Sequence, residues 1–262
     1  MNKKLVENRE RYIGQIFETK RCGVCKVIDY RGNRDVLVKF EDPECVVKTQ
    51  LGHLKIGNVF NPMKPSIHNL GFIGLGRYDS YKNKEAYSAW CRIFERCYGK
   101  TYLERFPTYK DVEVCKEWYD FQNFAEWFYS QEHSKSLDEY GKLYQLDKDI
   151  LVKGSKIYSP ETCCFVPACI NGMFISCKDT TMKSGLPIGV GRNKRGSVLV
   201  ARINLGKLGN FKLGSFYNVE EAFQAYKKAK ESYIKDTAEC WKGRIDNRVY
   251  KALMNYEVEP YG

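Results

Sequence analysis

The sequence has only three histidines in 262 residues, and no stretch of it reaches the roughly 18 consecutive apolar residues of a membrane span. This absence predicts that no segment crosses a bilayer. Residues 1–10 carry charges where a secretory signal needs an apolar stretch, so we expect no export. We therefore expect a soluble, intracellular protein of the cytoplasm, in which the eleven cysteines stay reduced.

Acidic residues are outnumbered by basic ones, 32 to 43, and the positive charge is concentrated at one end of the chain. The formal net charge is +11, and residues 184–256 carry fourteen basic residues against six acidic ones. Between residues 187 and 216 there are six basic residues and no Asp or Glu. A local excess of this kind is what phosphate binding requires, and it favours nucleic acid over a membrane as the partner.

The apolar pattern divides the chain into three modules and predicts an α+β multidomain protein. Five short apolar stretches separated by turn residues predict an SH3-like small β-barrel in residues 1–62, followed by a linker over 63–81. Those stretches are residues 13–17, 24–30, 36–40, 46–47 and 54–60. Residues 82–178 begin with apolar residues at helical spacing up to a stop at Gly99, and Asp120 is the expected cap of a second helix.

Strands return in residues 184–262, after a polar linker. The pattern predicts strands over 188–190, 198–205 and 211–216, then a helix capped by Asn218 and a short last helix over 246–256. In the middle strand, Leu199, Ala201, Ile203 and Leu205 share the face that the helix can cover. The opposite face carries Val198, Val200, Arg202 and Asn204.

This alternation predicts a three-stranded sheet with a basic open face. Its candidate DNA-binding residues, on the strands and on the first hairpin, are Arg192, Lys194, Arg195, Arg202, Asn204 and Lys212. Arginine and asparagine in a sheet can form bidentate contacts with base edges in the major groove. Duplex DNA is therefore the expected partner.

The same region resembles the AP2 DNA-binding domain, which has three strands and one helix and places its sheet in the major groove. The resemblance covers about 55 residues. It lies in Gly189-Val190, in Ala201-Arg202-Ile203 and in residues 213–226, which read LGSFYNVEEAFQAY. Ile188, Gly191 and Leu199 stand where plant members usually carry Arg, Arg and Trp. The resemblance therefore implies the fold more strongly than the base preference.

Residues 85–175 resemble phage-type HNH endonuclease-like proteins, which commonly carry an AP2 module behind the nuclease-like region. The matching segments are Trp90 with Cys97-Tyr98, residues 112–118 (VEVCKEW), 146–149 (LDKD) and 158–163 (YSPETC), and Asn171. The resemblance implies a hairpin and helix that hold one divalent metal ion, Mg²⁺ or Mn²⁺, against the scissile phosphate. It also implies a phage origin.

By this resemblance the catalytic candidates are Asp147, Lys148, Asp149 and Asn171, with Asp147 and Asp149 as metal ligands. Lys148 stands where the family has its general-base histidine, and Thr162 stands where a middle asparagine is common. A lysine is a poor base at neutral pH unless burial lowers its pKa by several units. The hairpin is therefore either an active site or a DNA-docking scaffold without turnover.

The cysteines leave structural zinc as a weaker alternative. Cys22 and Cys25 form one CxxC pair without a second one, and Cys97, Cys115 and the pair 163–164 lack that spacing. Buried free cysteines are common in protein cores.

Three classes of function remain open. The chain is either a metal-dependent, homing-type DNA endonuclease whose AP2-like module selects the site, or a non-catalytic DNA-binding or regulatory protein. The third option is a phage inhibitor of host defence that uses the same surface to hold a protein or an RNA. The pattern leaves the protein partners, the oligomeric state and the recognition sequence open.

Overall fold

A computed structural model describes residues 3–174, 184–194 and 196–261. The chain divides into two compact units, Met1–Phe128 and Tyr129–Gly262. Both units contain helices and antiparallel strands, so the predicted α+β class is confirmed. The division falls inside the predicted region 82–178, and the predicted linker around residue 180 lies largely outside the described residues.

The first unit begins with a helix, continues with four strands and ends in helices. Its helices are α1 Lys3–Tyr12, α2 Leu51–Lys55, α3 Lys84–Tyr98, α4 Lys100–Arg105 and α5 Phe121–Ser130, the last of which runs two residues into the second unit. Its strands are β1 Ile16–Thr19, β2 Gly23–Gly32, β3 Asp35–Glu41, β4 Glu44–Thr49 and β5 Glu113–Val114. Two 3₁₀ turns lie at Pro107–Tyr109 and Lys116–Tyr119.

Strands β1 to β4 form an antiparallel sheet in sequence order. Alternate residues are buried along β3, where Val36, Val38 and Phe40 face the core beneath α1. The predicted fifth strand, residues 54–60, was wrong. Leu51 and Leu54 are buried on one face of α2 because their spacing of three fits a helix. The sheet is therefore open at β1 and β4, and the described residues contain no closed barrel.

The predicted linker over 63–81 has no helix or strand but is tied to the helical part of the first unit. The Nε2 atom of Gln122 on α5 donates to the backbone oxygens of Ile73 and Tyr78, at 2.9 Å each. Helix α3 buries the apolar stripe that its spacing predicts and ends at Gly99. Trp90 on that stripe is fully buried and donates through Nε1 to the carbonyl oxygen of Trp118.

The second unit contains six strands and three helices of its own within the described residues. The strands are β6 Gln145–Asp147, β7 Ile157–Tyr158, β8 Cys164–Val166, β9 Val190–Arg192, β10 Leu199–Asn204 and β11 Asn210–Phe216. The helices are α6 Ala168–Met173, α7 Val219–Trp241 and α8 Asn247–Met254, with a 3₁₀ turn at Gly206–Leu208.

The C-terminal sheet has the strand order β11-β10-β9, and α7 packs against one of its faces. Leu199 and Ile203 of β10 pack in one core with Ala222 and Phe223 of α7. Asn218 caps α7, because its Oδ1 atom accepts from the backbone N–H of Glu220 at 2.7 Å and of Glu221 at 3.4 Å. The predicted strands over 198–205 and 211–216, the cap and the covering helix are confirmed. The first strand lies at Val190–Arg192 and not at the predicted residues 188–190, because Ile188 and Gly189 form a turn.

Candidate nucleic-acid interface

Two basic side chains lie opposite each other on the face of the C-terminal sheet that points away from the core. Arg202 of β10 pairs in register with Lys212 of β11, and Asn204 pairs with Asn210. Directly opposed residues on antiparallel strands point to the same side. All four side chains are exposed. The predicted residues Arg202, Asn204 and Lys212 are therefore brought together on one face.

The register of β11 is interrupted by a bulge between the pairs Ala201–Gly214 and Arg202–Lys212. The extra residue is Leu213, which packs against the core that α7 covers. Because the bulge lies on β11, the alternation along β10 is unbroken, and Arg202 keeps its place on the open face.

Val200 departs from the prediction of a uniformly open face, because it is buried. It lies in the central strand between Gly191 of β9 and Ser215 of β11. The Arg202 side chain extends across the sheet in this direction, and its NH1 atom lies 3.8 Å from where a Cβ at Gly191 would be. The missing side chain at Gly191 leaves room for the arginine, whose aliphatic stem can cover apolar surface.

Arg192 and Lys194 lie at the β9–β10 hairpin, and both are exposed. The NH1 atom of Arg192 donates to the carbonyl oxygen of Gly196 at 3.2 Å across the turn. The Asn193 side chain shapes the same turn by accepting from the backbone N–H of Ser197. Arg195, also predicted to contact DNA, lies outside the described residues.

The charge on this surface is not neutralised locally. In the described ranges, no carboxylate forms an ion pair with Arg192, Lys194, Arg202 or Lys212. Elsewhere in the same unit basic residues are paired, as in the 2.7 Å contact between Lys227 and Glu231 on α7. The open face therefore offers unpaired cations to a polyanion.

The predicted catalytic residues lie in the β6–β8 hairpin region. Lys148 is buried, and its Nζ atom donates to both carboxylate oxygens of Asp149, at 2.7 and 2.9 Å. It also donates to the carbonyl oxygen of Ser155 at 2.6 Å. An ammonium group has three donors, and these contacts hold it inside the loop that follows β6.

Asp147 is engaged with the same loop. Its Oδ1 atom accepts from the backbone N–H groups of Asp149 and Ile150, both at 2.8 Å. Burial raises the pKa of Asp147 above its usual value, and these backbone bonds offset only part of that effect. The carboxylate therefore acts as the acceptor that closes a turn.

The other two predicted residues also have structural partners. Asn171 on α6 donates from Nδ2 to Oε1 of Gln145 at 2.6 Å, so it contacts β6 two residues before Asp147. Thr162 is buried and donates to the carbonyl oxygen of Ile157 at 2.8 Å. The structure thus brings Asn171 to the strand of Asp147 without a direct bond between them.

This arrangement does not fit a resident Mg²⁺ or Mn²⁺ ion. The carboxylate of Asp149 already holds the Lys148 ammonium, and Oδ1 of Asp147 is used by the backbone. In the part of the chain that the structure describes, no group of three or more His, Cys, Asp or Glu side chains is placed to hold a metal ion. Burial also raises the pKa of Cys164 beside Asp147, which keeps that thiol neutral.

The sequence did not predict that the carbonyl oxygen of Ser155 accepts from Lys148, because every residue has a backbone carbonyl and no pattern distinguishes this one. Nor did it predict the contacts of Arg248, which stands two residues after the cap residue of α8. Arg248 pairs with Asp246 at 2.8 Å and reaches Gln131 at 3.4 Å. This pairing outweighs the burial of Asp246 and holds the pKa of that carboxyl below its usual value. These contacts join the loop before β6 to α8.

Replacing Asp147 by asparagine is expected to preserve or increase stability. The asparagine side chain would keep an oxygen for the two backbone N–H groups, whereas Asp147→Ala would leave them unpaired at a cost of about 2 kcal/mol or more. Because the pKa is raised on folding, the carboxyl stabilises the fold fully below about pH 3.8. That contribution is lost as the pH rises through the raised pKa. Urea unfolding from pH 3 to pH 8 should show that the free energy of unfolding of Asp147→Asn increases relative to that of the wild type as the pH rises. A loss of stability equal to that of Asp147→Ala would contradict this role.

Within the described residues, no helix has both the length and the apolar character needed to cross a membrane. A scan against protein-family models gave no match, and searches of curated proteins and of solved structures gave no significant match.

Proposed function

We propose that this chain binds duplex DNA through the open face of the sheet β9–β11, and that this module is AP2-like. The observation that carries the proposal is the pair Arg202 and Lys212, opposed in register, exposed and without a carboxylate partner among the described residues. The phosphates of a DNA backbone would supply the negative charge that these two cations lack within the protein. Asn204 and Asn210, the next pair along the strands, add amide groups suited to base edges.

The sheet and its helix suit this task. Helix α7 supports the sheet from behind, so the open face is a rigid surface and not a loop. The hairpin with Arg192 and Lys194 extends the basic surface beyond the sheet. A two- or three-stranded surface of this kind fits the major groove, where base edges are distinguishable.

We further propose that the HNH-like hairpin of β6 and β8 supports DNA binding without cutting. Lys148 donates to Asp149 and Ser155, and Asp147 accepts from the backbone, so the residues in the catalytic positions stabilise a loop. A general base must reach the proton of the attacking water, and an ammonium group held by three acceptors is poorly suited to this role. The alternative, a metal-dependent endonuclease, requires Asp147 and Asp149 to exchange these contacts for a metal ion. The one observation in its favour is that Asn171 contacts β6, the strand that contains Asp147.

Incubation of the full chain with duplex DNA in Mg²⁺, Mn²⁺ or EDTA separates the two candidates. We expect a gel shift in all three conditions and uncut DNA after prolonged incubation. Asp147→Asn should behave like the wild type. Metal-dependent cleavage that Asp147→Asn abolishes would overturn the non-cleaving proposal and support the nuclease. The absence of any gel shift at low salt would overturn DNA binding itself.

A further inference from the structure

The second unit contains a cavity of about 1010 Å³ beside the sheet. Its walls come from α6, from α7, from the end of β10 and from the segment that follows α8. Strand β9 pairs with β10 at Leu199–Ala201. Beyond these pairs, Arg202 and Asn204 of β10 border the cavity. Arg202 and Asn204 belong both to this border and to the open face. A cavity of this size can enclose a small organic ligand.

One wall of the cavity is aromatic. Tyr233 lines the cavity from α7. Tyr226, seven residues earlier on the same side of the helix, also borders the cavity, but its ring is buried against Gly189. Phe174 and Tyr256 pack at a tilt of 56° with ring centroids 4.8 Å apart, and both line the cavity. Flat rings at a cavity wall are surfaces on which nucleobases stack.

A partly buried ammonium group lies on the same side of α7. Lys230, between the two tyrosines in the helix, donates to the carbonyl oxygen of Met173 at 2.9 Å. No carboxylate in the described part of the chain forms an ion pair with it, and burial lowers its pKa. By contrast, Lys153 in the same wall is paired with Glu259 at 2.9 Å. Lys230 therefore lacks the negative charge that would compensate its burial.

The acidic residues of the cavity wall do not supply this negative charge to Lys230. Glu259 holds Lys153, and Oδ1 of Asp138 accepts from the backbone N–H groups of Tyr140 and Lys142. Glu139 is exposed. Lys230 and Arg202 are thus two cationic residues that line one cavity without carboxylate partners in the described ranges, next to an aromatic wall.

We propose that this cavity binds a nucleotide, with its base against the aromatic wall and its phosphate on Lys230 and Arg202. The inference rests on the proposed function, because Arg202 belongs to the DNA-binding face as well. The nucleotide comes either from solution or from a DNA strand, as a base extruded from the stack. Both sources present the same chemistry, a flat base and a phosphate.

Calorimetric titration of the full chain with dAMP, dGMP, dCMP, TMP and inorganic phosphate tests the proposal. We expect at least one mononucleotide to bind more tightly than phosphate. Lys230→Gln should weaken that binding about tenfold or more, since a charge-assisted hydrogen bond contributes at least about 1.4 kcal/mol. Lys228→Gln is the matched control, because Lys228 is exposed on α7 and does not line the cavity. If neither a mononucleotide nor an extruded base binds, or if Lys230→Gln binds as the wild type does, the inference is wrong.

A duplex that contains 2-aminopurine distinguishes the two sources. Extrusion of the base into the cavity predicts a rise in fluorescence with the wild type that Lys230→Gln abolishes; use of free nucleotides alone predicts no rise but a calorimetric signal. The variant Lys212→Ala separates this inference from the proposed function, because Lys212 does not line the cavity. It should lose duplex affinity and keep mononucleotide affinity. Mononucleotide binding without duplex binding would overturn the proposed function alone, and duplex binding with neither cavity signal would overturn this inference alone.

Discussion

The double variant Arg202→Ala/Lys212→Ala is expected to bind duplex DNA about a hundredfold more weakly than the wild type at low salt. Each side chain is exposed, lacks a carboxylate partner among the described residues and points to the same side of the sheet. A hydrogen bond from a charged donor contributes about 1.5–3 kcal/mol, and two of them at the lower figure correspond to roughly a hundredfold. A gel-shift titration of both proteins on one duplex measures the difference.

The control for this experiment is Lys228→Ala/Lys235→Ala. It removes the same charge from exposed positions on α7, behind the sheet. A general effect of net charge would weaken both double variants equally. We expect the control to stay within about threefold of the wild type. Equal losses in the two variants would show that binding depends on overall charge and not on the open face.

Replacing Gly189 by alanine is expected to destabilise the protein by about 2–5 kcal/mol. Gly189 has a φ of +78°, a conformation in which an L side chain is strained by about 1–2 kcal/mol. A Cβ at this position would overlap the ring of Tyr226, which is buried in the core beneath the sheet. Forcing extra volume into a packed core adds about 1–3 kcal/mol. Urea unfolding followed by circular dichroism gives the free energy of unfolding.

Gly243→Ala separates strain from overlap. Gly243 has a similar φ of +75°, but no atom lies within 4 Å of a Cβ placed there. Its replacement should cost about 1–2 kcal/mol, the strain alone. Equal losses at the two positions would mean that the contact between Gly189 and Tyr226 does not constrain the fold.

The C-terminal sheet was predictable because its pattern is local. Apolar and polar residues alternate along β10, and Asn218 precedes an apolar face at helical spacing. The burial of Val200 was not predictable, because it depends on the neighbouring strands and on the space above Gly191. In the first unit, residues 54–60 are apolar enough for a strand, but Leu54 belongs to the short helix that begins at Leu51.

The candidate sites also differ in how far the sequence alone could predict them. The position of Arg202 and Lys212 on the open face could be predicted from sequence, because alternate residues of a strand point to opposite faces of the sheet. The loop contacts of Lys148 could not, because they depend on a backbone carbonyl at Ser155 and on a burial that the sequence does not reveal. The cavity draws its walls from residues 138 to 259, and no local pattern unites them.

The salt dependence of duplex binding by the full chain tests the central claim most directly. If the open face neutralises phosphates, the logarithm of the affinity should fall linearly with the logarithm of the salt concentration, with a slope of about −0.9 for each phosphate contacted. Arg202→Ala should make that slope shallower by about 0.9. No binding at low salt, or a slope that Arg202→Ala leaves unchanged, would contradict the account.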